Sequence, residues 1–142
     1  MFLRNCWYVA AWSREVTRDK PFARTLLNQP LVFYRKADGT PVALEDRCCH
    51  RHAPLSLGTV TGDDLRCGYH GLKFDARGIC VEIPGQPRIP PDAYVRAYPV
   101  VERWNWLWVW MGDPAKADPA LIPNWWWRSE EHTSELQSHL NL

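Results

Sequence analysis

The stretch CCHRHAPLSLGTVTGDDLRCGYHGL, residues 48–72, holds three of the five cysteines and three of the five histidines of the chain. Four of these six residues form two pairs of similar spacing, Cys48-x-His50 and Cys67-x-x-His70. Each pair offers one thiolate sulfur and one imidazole nitrogen, and the neighbouring glycines and proline are typical of tight turns. The sequence therefore predicts two loops that together bind a metal centre.

The order of ligand types within each pair indicates which metal centre is bound. Zinc fingers usually pair Cys with Cys and His with His, whereas each of these loops carries one Cys and one His. In a dinuclear iron–sulfur centre, each loop can give its sulfur to one iron and its nitrogen to the other. We therefore interpret Cys48, His50, Cys67 and His70 as ligands of a [2Fe–2S] cluster, with a structural zinc ion as the alternative.

The other polar side chains of the stretch have a different expected role. Alternate side chains of an extended segment point to opposite sides, so Cys49 should face away from the ligands as a free, half-buried thiol. His52 should lie on the ligand side, and Arg51 and Tyr69 flank ligands. We expect these last three residues to be candidates for hydrogen bonds beside the cluster.

Composition excludes several classes of function. The 142 residues carry a net charge of +1 without a basic run, so nucleic-acid binding is not expected. The longest strongly apolar run, Trp106–Met111, is too short to cross a bilayer, and the N-terminus lacks the apolar core of a signal peptide. We therefore expect a cytoplasmic protein with no membrane partner, in which cysteines serve as metal ligands or free thiols.

The many prolines and glycines along the chain favour β structure. Twelve prolines and eight glycines leave little room for long helices. Two hairpins are predicted, one turning at Asp38-Gly39 and one at residues 75–78. Further strands are expected at residues 31–34, 95–101 and 106–110, the last apolar on both faces and hence covered on both sides. The prediction is an all-β domain of small antiparallel sheets, with a short helix near Pro119.

The end of the chain differs from the rest. Residues 128–138, RSEEHTSELQS, are identified as the conceptual translation of a common sequencing-adapter oligonucleotide, so residues 128–142 are treated as a non-native tail. We expect residues 1–112 to form the metal-binding domain. Residues 113–127 would then begin a linker and a further, truncated domain.

The longer pattern around the ligands resembles that of the Rieske non-haem iron oxygenases. It reads C-x-H-R-x-A-P-L-S-x-G, then C-x-Y-H-G, then G-x-C-x-x-I-P. The chain is most similar to the vanillate O-demethylase oxygenase-component branch in the segments WYVAAW, CGYHGL, IPGQ and WLWVWMGDPAKADPALIP. The resemblance covers residues 1–127. It implies a Rieske [2Fe–2S] domain with two cluster-binding hairpin loops. Cys48 and Cys67 would bind one iron, and His50 and His70 the other.

The same resemblance implies a function for the full-length protein. Such oxygenases take electrons from a flavin/ferredoxin-type NAD(P)H reductase, pass them to a mononuclear Fe(II) in a second domain, and use oxygen on an aromatic substrate. The full-length protein would be a homo-oligomer, and this chain would contain no catalytic residues of its own. The alternative is a free-standing Rieske-type ferredoxin. Respiratory-complex Rieske proteins are not favoured, because Ala53 and Tyr69 occupy the positions of their disulfide cysteines.

Overall fold

The computed structural model describes residues 2–50 and 52–125, so Arg51 and the proposed tail lie outside the described residues. The described part is all-β, as predicted. Its strands are β1 (Cys6–Trp12), β2 (Phe22–Leu26), β3 (Gln29–Arg35), β4 (Pro41–Glu45), β5 (Thr59–Thr61), β6 (Asp64–Arg66), β7 (Lys73–Phe74), β8 (Cys80–Glu82), β9 (Ala97–Tyr98), β10 (Val100–Arg103) and β11 (Trp106–Met111). Short 3₁₀ helices span Ser13–Glu15, Leu55–Leu57, Pro114–Lys116 and Pro119–Leu121.

A central antiparallel sheet has the order β2-β3-β4-β9, and its middle strands β3 and β4 are buried on both faces. Alternate residues of β3 point to opposite sides: Val32 and Tyr34 pack into one apolar core, and Leu31 and Phe33 into another. All four side chains are fully buried. The continuous apolar run at residues 31–34 is therefore explained by a strand that lies between two layers.

Two further sheets cover the faces of the central sheet. The sheet β5-β6-β7-β8, together with the loops beside it, forms what we call the cluster-binding layer. The sheet β1-β11-β10 forms the tryptophan layer on the opposite face. Each layer closes one of the two cores, so the predicted metal-binding loops are separated from the tryptophan-rich strand by the central sheet.

Both predicted hairpins are present, but the predicted strand at residues 95–101 is divided. The Asp38-Gly39 turn joins β3 to β4, and residues 75–78 join β7 to β8. Pro99 has no N–H group and interrupts the other segment. As a result β9 pairs with β4 in the central sheet, whereas β10 pairs with β11 in the tryptophan layer.

The tryptophan-rich strand β11 is covered on both faces, as predicted. The face that carries Leu107 and Val109 packs into the core beneath the central sheet. The opposite face is covered by residues 113–125 of this same chain. The indole N–H groups of Trp110 and Trp7 donate to the carbonyls of Asp113 (2.8 Å) and Asp118 (2.9 Å), respectively. The predicted short helix is the 3₁₀ turn Pro119–Leu121, which is part of this covering segment.

Among the described residues, we find no helix with the length and apolar character that a membrane crossing requires.

Candidate metal centre

The two candidate ligand pairs lie on loops with the same backbone hydrogen bonds. In the first loop (residues 48–53), the Cys48 N–H donates to the carbonyl of Ala53, and the His52 N–H donates back to the Cys48 carbonyl, both at 2.8 Å. In the second loop (residues 67–72), Cys67 donates to Leu72 at 2.7 Å and Gly71 donates back to Cys67 at 3.1 Å. Each loop is thus a closed turn that starts at a cysteine and ends five residues later.

The fifth residue of each turn has a left-handed backbone. Gly71 has φ +81° and His52 has φ +58°. Glycine reaches this region without strain, whereas a histidine there is uncommon. A Cβ atom at Gly71 would also be tightly packed, at 3.0 Å from Cγ of Pro84. The two loops therefore have the same hydrogen bonds and the same left-handed fifth residue. Their different ligand spacings, C-x-H and C-x-x-H, do not predict this similarity.

The structure places the thiols inside and the imidazoles outside. Cys48 is 3% exposed and Cys67 is 2% exposed, in the core that the cluster-binding layer shares with the central sheet. His50 and His70 are exposed, and their ring centroids are 5.2 Å apart in an edge-to-face arrangement. The two predicted sulfur ligands thus lie on the core side of the loops, and the two predicted nitrogen ligands lie on the solvent side.

The surroundings of the two thiols favour a bound metal. The pKa of Cys48 is raised to about 11, mainly by burial and also by the neighbouring Cys67 thiol, while a hydrogen bond from the backbone N–H of His50 acts in the opposite direction. A thiolate in this apolar site therefore needs a cation to replace its proton. A [2Fe–2S] cluster supplies that charge and accepts thiolate and imidazole ligands together, so the residues present fit it.

The grouping of the side chains also bears on the zinc alternative. Within residues 2–50 and 52–125, no three His, Cys, Asp or Glu side chains converge as ligands of a single ion. A structural zinc site needs four ligands around one ion. A dinuclear cluster takes two protein ligands at each metal, and the two cysteines and two histidines of the loops supply that number.

The other residues predicted to lie near the cluster differ in how exposed they are and in what they contact. Tyr69 is 64% exposed, and its ring centroid lies 4.1 Å from that of His70. The His52 side chain is exposed. Cys49 is half-buried and packs against the same core as Cys48, and burial raises its pKa. Arg51 lies outside the described residues, so its predicted role stays a prediction.

Sequence reasoning missed the residues that brace the loops. Asp46 precedes the first loop and accepts hydrogen bonds from the backbone N–H and the hydroxyl of Ser56, which follows it, both at 2.7 Å. Arg66 precedes the second loop and donates to the carbonyl of Gly71 at 2.8 Å. These partners come close to one another only after the loops have folded, so no local sequence pattern predicts them.

Gly58 allows the chain after the first loop to approach the second. A Cβ atom at this position would overlap the backbone carbonyl oxygen of Arg66. The signal for this role was present in the sequence, because Gly58 ends the pattern P-L-S-x-G that follows the first ligand pair. Its physical meaning, close contact between two backbones, becomes visible only in the fold.

The known proteins that are similar to this chain include iron–sulfur and oxygenase subunits of related enzyme systems. The iron–sulfur subunit TsaM1 of the toluene-4-sulfonate monooxygenase system from Comamonas testosteroni is 58% identical over 127 residues, which are 89% of this chain and 37% of that protein. A vanillate O-demethylase oxygenase subunit from Pseudomonas sp. (strain HR199 / DSM 7063) is 46% identical over 127 residues, 89% of this chain and 35% of that protein. This chain thus spans little more than a third of either relative.

A solved structure and a family profile agree with these relatives. The crystal structure of apo dicamba monooxygenase superimposes with a TM-score of 0.87 at 48% sequence identity, covering 91% of this chain and 40% of that one. The profile of the Rieske [2Fe-2S] domain matches residues 6–99, which include both loops. The chain therefore belongs to the Rieske [2Fe–2S] domain family, and the relatives that it resembles are oxygenase components.

Proposed function

We propose that this chain is the electron-transfer module of a Rieske non-haem iron oxygenase, with Cys48 and Cys67 as ligands of one iron and His50 and His70 as ligands of the other. The observation that carries the proposal is the pairing of two buried thiols with two exposed imidazoles on loops of matching backbone structure. When bound, a [2Fe–2S] cluster with two histidine ligands carries one electron at a potential between about −150 and +300 mV.

The side chains around the two loops suit electron exchange with a protein partner. The exposed rings of His50 and His70 bring the ligand set to the surface. Beside them, Leu57 and Tyr69 are exposed apolar side chains, and they line a shallow depression together with Ala53, Pro54 and Gly68. A partner that covers this surface would exclude water near the imidazoles and shorten the path to its own redox centre.

The rest of the full-length protein is proposed from the relatives. Because they are named as monooxygenase or demethylase components and are more than twice as long as this chain, we propose a second domain with a mononuclear Fe(II) that oxidises an aromatic substrate. The partner would be a flavin/ferredoxin-type NAD(P)H reductase, and the full-length protein a homo-oligomer. All five cysteines are free, which is consistent with the cytoplasm.

A free-standing ferredoxin is the weaker alternative. The relatives extend far beyond the region that they share with this chain. In addition, the chain continues past the matched family region through β10, β11 and the covering segment 113–125. We propose residues 1–112 as the domain proper and residues 113–127 as the start of the linker to the missing part.

The proposal is tested by giving the reconstituted chain NADH, a reductase, oxygen and vanillate, and following both cluster reduction and formaldehyde. We expect reduction of the cluster without formaldehyde, because the oxygen-activating domain is proposed to lie elsewhere. The chain with Cys67→Ser serves as the control that cannot assemble the cluster. Sustained formaldehyde formation coupled to NADH would contradict the proposal, as would a cluster that the reductase cannot reduce.

A further inference from the structure

Glu82 lies across the sheet from both stems of the second loop. The loop connects β6 to β7, so Arg66 is the last strand residue before it and Lys73 the first one after it. These two residues are cross-strand partners, and Lys73 is in turn the partner of Glu82 on β8. Cross-strand partners point to the same face of a sheet, so the three charged side chains form one row.

The two oxygens of Glu82 are divided between the two stems. Oε2 lies 3.0 Å from Nη2 of Arg66, and Oε1 lies 3.4 Å from Nζ of Lys73. The other nitrogen of the guanidinium, Nη1, donates to the carbonyl of Gly71 at 2.8 Å. Gly71 directly follows the proposed ligand His70. A chain of contacts therefore runs from Glu82 through Arg66 to the residue next to the ligand.

The first loop does not depend on another strand in this way. Its bracing carboxylate, Asp46, belongs to its own stem and binds Ser56 on the other stem. The carboxylate on the second loop's own stem, Asp64, approaches only Lys73, at 3.9 Å, and β8 supplies a carboxylate that reaches both stems. A regular register would not place Glu82 opposite Lys73 and Cys80 opposite Phe74 at the same time; an irregularity of β8 between these pairs allows it.

We propose that Glu82 is a positioning residue for the metal centre, which holds the two stems of the second loop together through Arg66 and Lys73 and thereby fixes Cys67 and His70. The inference rests on the proposed function, since it assumes that these residues bind the cluster. Glu82 does not touch the ligands, and it acts through Arg66. Its side chain is 46% exposed, so its loss should affect the loop locally and leave the fold nearly unchanged.

The test compares Glu82→Gln with the unaltered full chain, both reconstituted with iron and sulfide. We expect Glu82→Gln to release its cluster to excess chelator at least threefold faster, because the loop opens more often. Asp19→Asn is the matched control: it removes one negative charge from an exposed position before β2 and should leave the rate unchanged. Urea unfolding of the apo chains should differ little among the three proteins.

A reduction potential separates positioning from a general loss of stability. Without the Glu82 carboxylate, Arg66 loses its ion pair and Lys73 keeps only the longer one to Asp64, so the net positive charge beside the loop rises and favours the more negative, reduced cluster. The potential of Glu82→Gln should therefore be higher than that of the unaltered chain, with a smaller shift for Asp19→Asn.

A double variant tests whether Glu82 acts through Arg66. If the two single changes acted independently, their fold-increases in the rate of cluster release would multiply in the chain that carries both Arg66→Gln and Glu82→Gln. We expect a smaller increase than that product, because both changes break the same contact.

Two results would overturn the inference, and they are distinguishable. If the unaltered chain binds a Rieske cluster and Glu82→Gln matches Asp19→Asn in release rate and potential, then Glu82 has no positioning role, although the proposed function stands. If the unaltered chain binds no such cluster, then the proposed function fails and this inference fails with it.

Discussion

The cluster-binding layer and the tryptophan layer lie on opposite faces of one sheet but differ in strand length and in the side chains that they bury. The strands of the cluster-binding layer are two or three residues long, and the core beneath it includes three cysteine side chains. The tryptophan layer has strands of four to seven residues, and Trp110 in it is 1% exposed. We therefore expect the cluster-binding layer to depend more on a bound metal for its stability, and the tryptophan layer to depend more on apolar burial.

The largest expected effect is that of removing the metal. Cys67→Ser should abolish the cluster and lower the protection of backbone amides in β6, β7 and the second loop by at least about tenfold, because metal binding contributes directly to local stability. Amides of β1 and β11 should keep their protection. Hydrogen exchange followed by mass spectrometry measures both regions in one experiment, with Cys49→Ser as the control that keeps the cluster. Equal loss of protection in the two layers would contradict the comparison.

Truncation of a buried tryptophan should destabilise the tryptophan layer and leave the metal centre unchanged. Trp110→Ala removes a buried indole and its hydrogen bond to Asp113, at an expected cost of about 3–5 kcal/mol in the free energy of unfolding. Urea denaturation measures this cost. The paramagnetic resonance spectrum of the cluster should stay unchanged in the protein that remains folded. A cost below about 1 kcal/mol would show that the tryptophan layer is not held by burial of this ring.

The sequence predicted these two layers to different extents. The ligand pairs and the apolar strand β11 were recognisable because each is a local pattern of spacing or alternation. The Asp38-Gly39 turn was also local, whereas the turns at Leu27-Asn28 and Trp104-Asn105, where all four residues have positive φ, were missed because bulky residues rarely adopt that backbone. The bracing contacts of Asp46 and Glu82 connect elements that meet only after folding, and no spacing rule predicts them.

A smaller effect should come from the ion pair that ties the tryptophan layer to the central sheet. Arg35 of β3 donates two hydrogen bonds to Glu102 of β10, at 2.9 and 2.7 Å, and these hydrogen bonds hold the pKa of Glu102 below its usual value of 4.5. A carboxyl whose pKa is lowered by folding stabilises the protein above its unfolded pKa, and this stabilisation is lost as the pH falls through the folded pKa.

Glu102→Gln should therefore lower the free energy of unfolding by about 1 kcal/mol at neutral pH, a modest value because Glu102 is partly exposed. The difference from the unaltered chain should shrink as the pH falls below about 4.5. Urea denaturation between pH 7 and pH 3 measures it, with Asp19→Asn as the charge-matched control. A difference that is constant over this range would mean that ionisation of Glu102 does not stabilise the fold.

The assignment of the four ligands is tested most directly by electron paramagnetic resonance of the reduced, reconstituted chain. We predict the signal of a [2Fe–2S] cluster with two histidine ligands, whose average g value is below that of the free electron. His50→Ala and Cys67→Ser should abolish this signal, whereas His52→Asn and Cys49→Ser should leave it intact. A signal that survives the loss of His50 but disappears with His52→Asn would contradict the account.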